Sequence, residues 1–260
     1  MSGDVTYVDH QSYDPRITTS GKKIVDLHLW NIGLRGNYDD IAGTGIGIRA
    51  DLELQTGKIT YGEVPGAEHI KLRGWAIMAG LDYKFKSIPL SLTLEYALGS
   101  GDKDSTTDKR EGFITALGQE QHYTFVYEYL TPSACNMLRT TNLLGTDNER
   151  VLRSGLCNTQ YVKLGGAYDI TKDLKAELYG YWLRAHRAVA INDNPDTSNR
   201  PKKDKDIGWE VDVKLTYQID KGLTYFIEGG YFWPGDAYKL PGVKDADDAW
   251  GVRHGITLRF

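Results

Sequence analysis

The sequence predicts an all-β protein, an antiparallel transmembrane β-barrel with nine to ten strands visible and forming part of a larger barrel. Three observations carry this. Apolar and ionisable residues alternate with a period of two in segment after segment, short turns alternate with long polar loops, and the chain stops at an aromatic residue, Phe260. Composition alone leaves the choice open. Mean hydropathy is -0.44 and 25% of the residues are charged, values ordinary for a water-soluble protein. A barrel strand, however, needs an apolar residue only at every second position, so its average is equally polar. No run approaches the roughly 18 consecutive apolar residues of a transmembrane helix. The 29 Gly, 17 Tyr and 6 Trp suit a crowded, twisted sheet with amphipathic rings at a headgroup layer. A net charge of -4 without a basic stripe excludes a nucleic-acid partner.

The clearest predicted strands are 45–56, 75–85, 90–98, 161–170, 174–182, 207–219, 223–233 and 250–260, with 24–38 a less regular ninth. In 207–219 one side reads Ile207, Trp209, Val211, Val213, Leu215, Tyr217, Ile219, and the other carries Glu210, Asp212 and Lys214. A helix would scatter those charges around a cylinder; a strand sorts them to two faces. Likewise Ile46, Ile48, Ala50, Leu52 and Leu54 oppose Arg49, Asp51 and Glu53, and Leu90, Leu92, Leu94, Tyr96 and Leu98 oppose Ser91, Thr93 and Glu95. Segments 37–44, 86–89, 171–173 and 220–222 are short turns rich in Asp, Lys, Gly and Pro. Segments 57–72, 99–159, 184–206 and 234–249 are long and polar. Turns at one edge and loops at the other are the layout of an outer-membrane barrel. A soluble sandwich alternates too; the turn and loop asymmetry and the terminus favour lipid.

The last strand places Val252, His254, Ile256 and Leu258 on one face and Arg253, Thr257 and Arg259 on the other before ending at Phe260. A C-terminal aromatic strand of this kind is the expected handle for barrel-assembly machinery. At the other end, Met1-Ser2-Gly3-Asp4 has neither the basic nor the apolar region of a signal peptide. Counting strands back from Phe260 puts the start of 24–38 at the loop edge. Residues 1–23 are therefore expected as an N-terminal extracellular segment or partial strand, and 24–260 as the outer-membrane barrel domain. Either residues 4–9 add a strand or further strands precede Met1, and the expectation is the latter.

Three strings carry a family resemblance. Ala50-Asp51-Leu52-Glu53-Leu54-Gln55-Thr56-Gly57-Lys58, Leu94-Glu95-Tyr96-Ala97-Leu98-Gly99-Ser100-Gly101-Asp102 and Gly230-Tyr231-Phe232-Trp233-Pro234-Gly235-Asp236 resemble, in order and spacing, segments of the alginate-export family of bacterial outer-membrane β-barrel porins. The resemblance covers the chain from about Ile24 onward. It implies a monomeric pore in the Gram-negative outer membrane that passes a polar solute or polysaccharide, anionic ones included, with lipid and lipopolysaccharide around it. The family's barrels exceed nine strands, which again implies strands beyond those visible.

By parity the lumen face holds Arg35, Arg49, Asp51, Glu53, Glu95, Lys163, Glu210, Asp212, Lys214, Glu228, Arg253 and Arg259, with Asp82 and Glu177 beside them. Arg and Lys could form a ladder for carboxylates or phosphates. Equally, cations interleaved with acids on neighbouring strands would form cross-strand ion pairs that stiffen the wall. Cys135 and Cys157 are the only cysteines, and in an oxidising compartment they read as a disulfide. Closing that loop would contribute roughly 3 kcal/mol in the chain-entropy model. The loop then either constricts the pore mouth or is a stapled surface loop. The acidic groups around Asp102, Asp193 and Asp245 lack Ca²⁺-loop spacing, so no metal or other cofactor is expected. A barrel enzyme would need a nucleophile with His and an acid within reach. His28, His186 and His254 are scattered on the apolar parity, so no catalytic residue is expected and the protein reads as a non-enzyme. A barrel sleeve around a partner protein remains the alternative, with a barrel hydrolase behind it.

Overall fold

The computed structural model describes residues 1–10, 24–61, 68–102, 109–114, 123–130, 155–189, 204–238 and 246–259. Phe260 lies outside them, as do Cys135, Asp193 and Asp245. The described chain is all-β, with twelve strands in one sheet. In chain order these are β1 (Ser2–His10), β2 (Ile24–Tyr38), β3 (Ile46–Tyr61), β4 (Glu68–Leu72), β5 (Trp75–Lys84), β6 (Leu90–Gly99), β7 (Lys109–Arg110), β8 (Thr159–Asp169), β9 (Leu174–Val189), β10 (Asp204–Asp220), β11 (Leu223–Pro234) and β12 (Ala249–Leu258). A single helical turn, α1 (Tyr127–Leu130), interrupts the pattern.

Ten strands follow one another as antiparallel neighbours, β1-β2-β3-β5-β6-β8-β9-β10-β11-β12. Each of the nine predicted strands is present. Residues 2–10 add a tenth, paired from Ser2↔Arg35 to His10↔Leu27, so the chain starts at the turn edge of the sheet. Among the described residues no pairing joins β1 to β12, and the sheet is an open path.

Two expectations need correction. Segment 57–72 is not simply a loop: β3 runs on to Tyr61 and pairs with β4 from Gly57↔Leu72 to Tyr61↔Glu68. Backbone groups that a free loop would leave to water are paired here, so the hairpin extends beyond the wall. Ile207 does not share the face of Trp209. The register between β10 and β9 slips between Asp206 and Gly208, and Gly208 adopts φ +132, a conformation that L side chains rarely take. A bulge re-aims the residue beside it, and Ile207 turns inward, fully buried in the apolar cluster that also holds Leu183, Tyr127 and Phe232.

Along most of the remaining strand length the large apolar residues lie on the exposed side, with Leu27, Leu29, Leu98 and Leu183 among the exceptions. Trp209 is 58% exposed and Val213 48%, while Glu210 between them is 0% exposed. Trp30, Ile32, Leu34, Ile48, Leu52, Leu54, Leu92, Leu94, Val252 and Ile256 are exposed as well. The apolar face thus points away from the protein, and the ionisable face is the sheltered, concave one. A continuous exposed apolar band of this size marks an interaction with something apolar.

Candidate functional site

The concave face carries its charges in clusters. On β2 and β3, Arg35 lies 2.7 Å from Glu53, 3.0 Å from Asp51 and 3.5 Å from Asp4 of β1. Antiparallel register sets Arg35 opposite Asp51, so the contact follows from strand alignment. On β3, β5 and β6, Arg49 donates to Glu95 at 2.6 Å and pairs with Asp82. Tyr161 of β8 donates to the other Glu95 oxygen at 2.6 Å. Lys163 sits 4.2 Å above the ring of Tyr179. On β10 to β12, Glu228 pairs with Lys214 at 3.3 Å and with Arg253. Cross-strand pairing therefore describes most of the predicted lumen residues. Arg259 stands apart, exposed beyond the end of β12, with its backbone N–H bonded to Gly222.

Glu210 and Asp212 do something that parity alone could not indicate. They receive the long loop 99–159. The backbone N–H groups of Phe125 and Val126 donate to Glu210 Oε1 at 2.8 and 2.5 Å, and that of Tyr127 to Oε2 at 2.8 Å. Phe125 N also lies 3.0 Å from Asp212 Oδ2. These are donors that the start of α1 cannot satisfy within the helix, so a wall carboxylate caps an interior turn. Around them Tyr127 packs against Phe232, ring centroids 5.9 Å apart, and its hydroxyl meets Thr159 at 3.0 Å. Tyr123 stacks on Tyr161 at 4.4 Å. Gly230 makes room: a Cβ there would lie 2.2 Å from Asp212 Oδ1 and 2.9 Å from Val126.

The same loop reaches the opposite wall. Ile114 N donates to Gln55 Oε1 at 2.8 Å and its carbonyl accepts from Gln55 Nε2 at 2.6 Å; Ile114 joins Leu27, Leu29 and Leu72 in a small apolar cluster. Two described pieces of the loop thus contact the wall, Ile114 at β3 and residues 125–127 at β10. Within the loop, Glu128 accepts N–H bonds from Tyr123 at 2.5 Å, Thr124 at 3.2 Å and Gly155 at 2.6 Å. Burial pushes its carboxyl up to about 8 against those three donors, and the charge of Glu210 adds to the rise. Cys157 is buried and disulfide-bonded; Cys135 lies outside the described residues. Among the described residues no group of His, Cys, Asp and Glu could hold a metal ion.

Comparison with known proteins bears on the wall where this loop docks. The alginate-export family model matches residues 146–252. The match covers β8 to β11 and the start of β12, and it agrees with the resemblance drawn above from the string around Phe232. Lys163, Glu210, Asp212, Lys214 and Glu228 all lie within the matched stretch, and two of them, Glu210 and Asp212, accept the loop's N–H groups. No curated protein matches the chain.

Proposed function

We propose that this chain forms the wall of an outer-membrane export channel for a polysaccharide, narrowed from within by loop 99–159. The observation that carries the reading is the orientation of the sheet. Large apolar side chains face outward along the strands, while ionisable ones such as Glu95 and Glu210 lie on the sheltered side beside two smaller apolar clusters. Only closed strand arrangements and helices tolerate lipid, because every backbone group must be paired, and no helix among the described residues is long and apolar enough to cross. The alginate-export match over residues 146–252 supports the transport class.

A sleeve would need its interior free for a partner protein. Here the chain's own loop lies against both walls, which favours a constricted channel.

Single-channel recording in planar bilayers tests the proposal. The intact protein should conduct in small steps, and a variant with residues 103–154 replaced by a short Gly-Ser linker should conduct in larger ones. Absence of current from both proteins, with both shown to be inserted, would rule out the channel.

A further inference from the structure

A cavity of about 550 Å³ lies between the loop and the walls of β1, β2, β3 and β5. Its volume falls in the range of small-molecule sites, roughly 300–1,000 Å³. Its two sides differ in chemistry. One presents Asp4, Asp51 and Glu53 with Arg35 as the lone cation among the lining residues; the other presents Ile114 with the stacked rings of Tyr123 and Tyr161. Counting lining charges, three carboxylates against one guanidinium leave the wall at about -2.

The guanidinium is already engaged. Arg35 reaches Glu53 and Asp4 through Nη2 at 2.7 and 3.5 Å and Asp51 through Nε at 3.0 Å, so two of its three nitrogens already face the wall's own acids. Among the described residues, a carboxylate-bearing sugar would find only a cation already paired with wall acids and would meet net negative charge at short range, where repulsion is weakly screened. Acceptor capacity, by contrast, is in surplus. Asp51 Oδ1 has no hydrogen-bond partner among the described residues, and Asp51 and Asp4 both line the cavity. We infer that this cavity is a saccharide subsite for units that offer hydroxyl or ammonium donors and carry no carboxylate. Their donors would face Asp51 and Asp4, and the apolar face of the ring would lie against Ile114 and the tyrosines. The inference rests on the export-channel reading, within which it names the class of solute.

The test uses the full chain in detergent micelles and titration calorimetry with three tetrasaccharides: glucosamine, glucose and mannuronate oligomers. The glucosamine and glucose oligomers should bind at least tenfold more tightly than the mannuronate oligomer. Asp51→Asn should weaken glucosamine binding at least fivefold. Met78→Trp, which fills the cavity from β5 without changing its charge, should abolish binding of all three. Equal or tighter mannuronate binding, no binding of any oligomer, or unchanged affinity in both variants would overturn the subsite. The two readings separate cleanly. Selective binding without bilayer current would sink the channel alone, and current without saccharide binding would sink the subsite alone.

Discussion

Glu210 shows how much one side chain can be asked to do in a sheltered interior. Fully buried, it accepts three N–H bonds from residues 125–127 of the loop. Hydrogen bonds to a charged group are each worth about 1.5–3 kcal/mol, and leaving buried donors unpaired costs comparably. Glu210→Ala should therefore release the loop turn while leaving the strands in place. Gly230→Val should do the same by steric means, since its side chain would occupy the space of Val126 and Asp212. Both variants should show larger, noisier conductance and faster proteolysis at residues 123–130; unaltered protection of that segment would refute the latch. Glu128 adds a pH dependence. Its folded pKa, about 8, lies above the ordinary 4.5, so the docked state holds the proton more tightly than the undocked one. Its contribution is complete below about pH 4.5 and falls as pH rises through 8. Protection of residues 123–130 should decline between pH 6 and 9 in the wild type, and Glu128→Gln should flatten that decline.

At the scale of the element, β10 is the most informative strand. Its alternation was legible residue by residue from Trp209 to Ile219, because a period of two places every second side chain on one face. The exception was Ile207. A bulge adds one residue to a strand and inverts parity beyond it, and the sequence signal for it, Gly208, is one glycine among 29. The lengths of β3 and β4 were likewise missed: Ile59 and Tyr61, and again Ile70 and Leu72, alternate past Gly57, but the first pair falls on the opposite parity to Leu52 and Leu54 and both sit in a short, otherwise polar stretch. The outward face of β10 makes its own prediction. A cation at mid-strand on a lipid-facing site costs about 2–4 kcal/mol, so Val213→Arg should lower folding yield into lipid vesicles, read as the fraction that keeps its heat-modifiable gel mobility. Thr216→Arg, on the concave face, should cost far less. Equal losses for the two would mean that the outer face does not meet lipid.

For the whole molecule, the open path from β1 to β12 sets a requirement. Each terminal strand presents unpaired backbone groups along one edge, and such edges are not tolerated in hydrocarbon. In a bilayer these edges must be covered. Backbone amides of β1 and β12 should then exchange with solvent as slowly as those of β10 in proteoliposomes; rapid exchange confined to the two edges would show that the sheet does not sit in lipid as a closed wall.

Local alternation along the chain was enough to establish an antiparallel β architecture with an oily outside and a charged inside. Each strand declares its own two faces through neighbours two residues apart, and no distant contact is needed to read them. Where loop 99–159 goes depended on tertiary structure. Its anchors, Glu210 and Gln55, are 155 residues apart in sequence, and nothing about a lone glutamate on a polar face signals that three backbone N–H groups will find it. Arg35 is of the same kind: the sequence left an anion ladder and cross-strand ion pairs both open, and the register that sets it opposite Asp51 brings it into the pair.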